Sequence, residues 1–262
     1  MTPRTILITG STDGIGELTA RTLVERGHTV LLHGRNPSKL DRVAASLGGD
    51  VERHVADLSG LDAVEAMAAA ITARHDRLDV LINNAGVFKT RQPRTADGLD
   101  VRFMVNTIAP YVLTRRLLPL IPADGRVVNL SSAAQAPVDV QAMTHFTPMG
   151  DMEAYAQSKL GITIWSAEMA AGLPDGPAII AVNPGSLLAS KMVKEGFGVA
   201  GNDLNVGADI LIRAALSPEF AQASGQYFDN DSERFAPPHH AASDAGHVAA
   251  FMQALNAIVE PA

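Results

Sequence analysis

Tyr155 and Lys159 stand four positions apart in a stretch of helical composition, so the two side chains leave the same face of a helix. A phenol, with an ordinary pKa near ~10, is a poor base at neutral pH; an ammonium beside it favours the phenolate and brings it toward the working range. Such a pair can protonate a developing alkoxide or, in reverse, take the proton of an alcohol. Ser132 follows the apolar run Arg126 to Leu130. Its hydroxyl can hydrogen-bond a substrate oxygen at the end of a strand. Ser131, one residue nearer that strand, competes for the role. Carbonyl reduction needs in addition a hydride donor, which protein side chains cannot supply.

A place for such a donor follows the first apolar run. Thr9-Gly10-Ser11-Thr12-Asp13-Gly14-Ile15-Gly16 leads straight into a segment of helical composition. Glycines permit a tight turn and close approach of a diphosphate to backbone amides, and a helix N-terminus offers free donors and partial positive charge. The spacing Gly10, Gly14, Gly16 differs from the common G-x-G-x-x-G fingerprint.

It matches another pattern. Thr9-Gly10-x-x-x-Gly14-Ile15-Gly16, Asn83-Asn84-Ala85-Gly86, Asn106, Ser132, Tyr155-Ala156-Gln157-Ser158-Lys159 and Asn183-Pro184-Gly185 occur in the order and approximate spacing of the short-chain dehydrogenase/reductase family, which the chain resembles over about 180 residues. The 22 residues between Ser132 and Tyr155 are similar to the longer insertion of its retinol-dehydrogenase-like branch. The resemblance implies that Gly10, Ser11, Gly14, Ile15 and Gly16 bind the cofactor diphosphate. Asp57 would meet the adenine end, Asn83, Ala85 and Gly86 would line the adenosine side, and Pro184 and Gly185 would line the nicotinamide. It further implies that Tyr155 is the acid/base, that Ser132 orients the substrate oxygen, and that Lys159 lowers the Tyr155 pKa and holds the nicotinamide ribose. Asn106 would hold a water that links Lys159 to solvent. The family's frequent threonine five residues after the proline is replaced by Ala189, leaving Ser186 or Ser190 as the hydroxyl for the cofactor amide. After the second apolar run, Gly34 stands where NAD-preferring relatives place an acidic residue, and Arg35 follows. A guanidinium pairs well with a 2′-phosphate, so NADP is the expected cofactor, with NAD as the alternative and His33 and Asn36 as helpers.

These residues must be carried by strands and helices in alternation. Thr5 to Thr9, Thr29 to His33, Val51 to Ala56, Val80 to Asn83, Arg126 to Leu130, Ala178 to Asn183 and Gln226 to Asp229 read as strands. Between them, helical composition runs over Ile15 to Arg26, Ser38 to Leu47, Ala63 to Arg74, Val101 to Ile121, Glu153 to Ala171 and Gly207 to Leu216. Pro110 predicts a bend in the fourth of these. The pattern implies an α/β fold: one doubly wound, Rossmann-type, mostly parallel sheet of about seven strands with helices on both faces. No linker or composition break divides the chain, so 1–262 reads as a single dinucleotide-binding catalytic domain, with candidate substrate loops at 135–151 and 187–204. Met143, His145, Phe146, Met149 and Met152, with Met192 and Phe197, suggest either an apolar pocket for a lipophilic substrate or ordinary core packing, with His145 as a polar wall residue.

The 262 residues hold 21 Lys+Arg against 28 Asp+Glu, a net charge of −7, which argues against a basic nucleic-acid face. At 47% apolar and 19% charged residues the chain can bury a core, and without cysteine it has no disulfide or thiolate site. No apolar run reaches the length of a membrane span or a signal peptide. His239 and His240 make a weak metal signal, and none is expected. The acidic run Asp229 to Glu233 reads as a solvated turn. The expectation is a cytoplasmic oxidoreductase acting on a small-molecule alcohol or carbonyl substrate. By resemblance it would form a homodimer or homotetramer through the helices around Val101 to Leu118 and Glu153 to Ala171. A catalytically silent dinucleotide sensor or scaffold is the competing reading, and the joint presence of Ser132, Tyr155 and Lys159 speaks against it.

Overall fold

Short runs buried on both sides become strands of a parallel sheet. In the computed structural model, which describes residues 2–186, 188 and 201–260, the strands are β1 (Thr5–Ile8), β2 (Thr29–Gly34), β3 (Val51–Val55), β4 (Val80–Asn83), β5 (Arg126–Leu130), β6 (Ala178–Asn183), β7 (Tyr227–Asp229) and β8 (Arg234–Ala236). They form one sheet in the order β3-β2-β1-β4-β5-β6-β7-β8. The first seven run parallel, and β8 returns antiparallel on β7. The additional strand follows a turn that includes Glu233 in the left-handed region at φ 52°.

Along β1 the side chains alternate: Ile6 and Ile8 join one core cluster, Leu7 the other. Each fully buried Ile or Leu contributes roughly 1.5–3 kcal/mol, so a slip of one residue would reverse these burials and is strongly opposed. Helices α1 (Gly14–Glu25) and α2 (Pro37–Leu47), with the helix Leu204–Leu216, cover the first face. The second face carries α3 (Leu61–Thr72), α4 (Val101–Phe103), α5 (Ala109–Leu117), α6 (Val140–Thr144) and α7 (Asp151–Ala171).

The break expected at Pro110 takes a specific form. A π turn, Met104–Ile108, joins α4 to α5, and the Ala109 N–H reaches back five residues to the Met104 carbonyl. Pro110 has no N–H to give the carbonyl of Asn106, four residues before it, so the ordinary ladder cannot continue there.

The C-terminal segment adds a helix outside the expected set, Ala245–Val259, capped by Asp244 through the His247 N–H. Its Phe251 and Leu255 are fully buried, and Phe251 packs against Gly161 of α7. Tyr111 Oη of α5 donates to Asn256 Oδ1 at 2.7 Å, and Arg115 pairs with Glu260. From Ala154 to Ser166 every α7 residue except Tyr155 is buried within the one chain. The two helices expected to join subunits present much of their apolar surface to their own chain.

Candidate active site

The sheet order reverses between β1 and β4, and an open α/β sheet has its crevice at such a point. Thr9, just past β1, pins the crevice: its Oγ1 accepts from the N–H groups of Asn84 and Ala85, each at 3.0 Å. Asn84 Nδ2 donates to the carbonyls of Thr9 (2.8 Å) and Gly10 (3.1 Å). Here glycine is required. A Cβ on Gly10 (φ +66°) would lie 2.9 Å from the Ala85 Cα, and one on Gly16 would lie 2.4 Å from the Gly10 carbonyl oxygen. Asp13 caps α1 through the Gly14 N–H at 2.9 Å. Gly10, Gly14, Ile15 and Gly16 thus open, at the positive end of α1, onto a cavity of about 500 Å³.

His33 holds the turn from behind. Its Nδ1 accepts from the Gly10 N–H at 3.0 Å and its Nε2–H donates to the Ala56 carbonyl at 3.1 Å, which assigns the ring proton to Nε2. Burial pushes its pKa down to about 4, so the ring is neutral. Ser11 is also internal, exchanging hydrogen bonds with the His33 backbone through its N–H and its hydroxyl. Asn36 Oδ1 caps α2 through the Lys39 N–H. Ser11, His33 and Asn36 thus all have internal hydrogen-bond partners around the turn.

Arg35 and Asp57 do line the cavity. So do Thr12 and Lys39, which sequence reasoning passed over. A Cβ on Gly34 would come within 2.6 Å of Thr12 Cγ2, so Thr12 crowds the place where an acidic side chain would stand. Lys39 Nζ pairs with Asp13 at 2.6 Å on the rim. Asn83 points away from the cavity, donating to Thr114 Oγ1 (3.1 Å) and Asn129 Oδ1 (2.8 Å) between buried neighbours. Its successor Asn84 faces the turn, with Ala85 and Gly86 beside it on the cavity wall. The alternation of side chains past a strand end was the available signal.

At the far end of the same cavity stand Tyr155, Lys159 and Pro184. The Ser132 hydroxyl lies beside the Tyr155 phenol and favours its ionised form. Lys159, one turn along α7, donates from Nζ to the Leu130 carbonyl at 2.5 Å and lies 5.7 Å from the centre of the Tyr155 ring. Burial pushes the Tyr155 phenol up, with the Ser132 hydroxyl opposing it, and pushes Lys159 down to about 7. The amine is drawn to a carbonyl and is itself partly discharged near neutrality, so desolvation governs the phenol. Phe88 meets the Tyr155 ring edge-on, with centroids 5.2 Å apart.

Asn106 sits in the π turn with its amide fully engaged: Oδ1 accepts from the Val87 N–H (2.8 Å), and Nδ2 donates to the Val87 carbonyl and Ser158 Oγ, both at 2.9 Å. Gly185 (φ +120°) lies behind Pro184, its N–H on Asn183 Oδ1 at 3.3 Å. Ser186 donates its hydroxyl to Asp231 Oδ2 at 2.5 Å. The acidic run is therefore more than a solvated turn, because Asn183 Nδ2 also donates to Asp229 and Asp231. In the 135–151 loop, Met143 is fully buried core, which corrects its place on a substrate wall. Phe146 lies under the Arg94 guanidinium at 5.9 Å, Met149 packs against the core, and His145 and Met152 are exposed. Ala189, Ser190, Met192 and Phe197 lie outside the described residues. Among the described residues no cluster of His, Asp or Glu is arranged to hold a metal, and no helix is long and apolar enough to cross a membrane.

Comparison with known proteins gives concordant matches. The family model for short chain dehydrogenase matches residues 4–197. Human retinol dehydrogenase 13 is 30% identical over 260 residues, covering 90% of this chain and 78% of that protein. The crystal structure of an uncharacterised protein from Mycobacterium paratuberculosis superposes with a TM-score of 0.81 at 29% identity, over 98% of this chain and 93% of the other. A short chain dehydrogenase from Shigella flexneri, complexed with NADP, has a TM-score of 0.69 at 26% identity, over 88% and 98%.

Proposed function

The chain belongs to the short-chain dehydrogenase family, in its retinol-dehydrogenase-like branch, and on that premise we propose that it transfers a hydride between NADP(H) and a lipophilic alcohol/carbonyl pair, with Tyr155 as the acid/base. The observation that carries this reading is the placement of Tyr155 and Lys159, one helical turn apart, on the wall of the same cavity that Arg35 lines, with the Ser132 hydroxyl beside the phenol. The NADP complex of the Shigella relative supports a nicotinamide dinucleotide as cofactor.

The residues present fit such a group. The turn has no room for side chains at Gly10 or Gly16, and α1 offers its N-terminal amides. Arg35 would take the 2′-phosphate, Asp57 the adenine end, and Pro184 a wall of the nicotinamide. When bound, the dinucleotide supplies the hydride that no side chain can. Tyr155 then delivers a proton to the substrate oxygen. Its upward-shifted phenol stays protonated at neutral pH, the form that reduction requires, whereas oxidation must first deprotonate it. Ser132 orients the oxygen, and Lys159 leaves the Leu130 carbonyl to hold the ribose and to favour phenolate. Because its side chain is spent, Asn106 would serve a water relay through its carbonyl.

Steady-state rates with NADPH and NADH across a panel of aldehydes, ketones and alcohols test this. Arg35→Ser is expected to lower kcat/KM for NADPH by about 10- to 100-fold, the scale of a charged hydrogen bond. NADH should be little affected. A wild-type preference for NADH would overturn the NADP assignment.

A further inference from the structure

Ser132 lies beyond the last ladder bond of β5, the Ser131 N–H to the Val182 carbonyl at 2.8 Å. The sheet holds the peptide no further. Two side chains do so instead, one three residues on and one from β7: Gln135 Nε2 donates to the Ser132 carbonyl at 3.0 Å, and Tyr227 Oη donates to the same oxygen at 3.1 Å. Gln135 Nε2 also reaches Ser131 Oγ at 3.3 Å, while its Oε1 accepts from the His239 N–H at 2.9 Å. Both ends of this amide are engaged.

We propose that Gln135 is a positioning residue for the reaction, fixing the Ser132 peptide so that its hydroxyl faces Tyr155, with Tyr227 as the second donor to the same carbonyl. The carbonyl direction sets ψ of Ser132 and with it the relation of this residue to Ala134, whose N–H donates to Ser132 Oγ at 3.1 Å. A hydroxyl so held meets the phenol in one geometry, which a reaction sensitive to misplacements of ~1 Å requires. Through His239 the same amide ties the C-terminal segment to the site. The proposal rests on the role given to Ser132 above.

Gln135→Glu keeps the acceptor for His239 and removes the N–H that serves Ser132; Gln135→Met removes the amide without adding charge. Turnover is measured per mole of folded, NADPH-binding protein, on whichever carbonyl substrate the panel yields. Both variants are expected to lower kcat about 10- to 100-fold with little change in the Kd for NADPH, the scale of loss from a misplaced reacting group. Tyr227→Phe should act in the same direction and less strongly. In a Ser132→Ala background, Gln135→Glu should cost nothing more. Unchanged kcat in both Gln135 variants while Ser132→Ala is impaired overturns the proposal, as do losses that multiply in the double variant. Wild-type turnover in Ser132→Ala overturns it together with the role of Ser132.

Discussion

His33 shows how a single ring can set a binding turn, because it accepts from Gly10 and donates to Ala56 only while neutral. Its folded pKa of about 4 lies below the ordinary 6.5, so between these values the unfolded chain binds a proton that the folded one does not. Stability is therefore complete above pH 6.5 and falls as pH drops toward 4, by up to about 3 kcal/mol from this group. Denaturant unfolding of wild type and His33→Asn across pH 4 to 7 checks this: the variant should be less stable at pH 7 and flatter with pH. Parallel curves would contradict it. At this scale the reactive groups were legible because their chemistry demands particular residue types at particular spacing, as with Tyr155, Lys159 and Ser132. Supporting groups were not. Asn83 and Asn84 are chemically identical, and only strand geometry says which faces the cavity; the neutrality of His33 and the discharge of Lys159 arise from burial that no local pattern announces.

Elements with a strong period were readable, and the sheet follows from seven apolar runs with helical stretches between them. The bend at Pro110 was legible as a bend but not as a π turn, since a missing N–H does not say which carbonyl the neighbouring donors will reach. The helix Ala245–Val259 carries Val248, Phe251, Met252, Leu255 and Ile258 at helical spacing, a signal present in the sequence. Its place against α5 and α7 was not, because contacts between Tyr111 and Asn256 span 145 positions. Phe251 is fully buried in that contact, so Phe251→Ala is expected to destabilise the protein by about 3–5 kcal/mol, measured by equilibrium denaturation. A loss under ~1 kcal/mol would show that the helix is a loose appendage.

For the whole molecule, this covering helix changes what association can mean. The apolar residues of α5 and α7 are largely buried within their own chain, which leaves little apolar surface on these helices for a partner. Crosslinking with mass spectrometry at micromolar concentration is expected to give no intermolecular contact on these two helices; an oligomer joined through them would contradict this.

The same molecule-wide arrangement brings the ends of β1, β4 and β5 and the start of α7 to one cavity, and in the proposed reaction a proton passes through the phenol on its wall. Tyr155→Phe tests it most directly, in single-turnover reduction with bound NADPH. A loss of at least about 100-fold in the reduction rate is expected, the lower bound for removing a positioned acid, with NADPH affinity within about threefold of wild type. Reduction at the wild-type rate by the bound cofactor in that variant would contradict it.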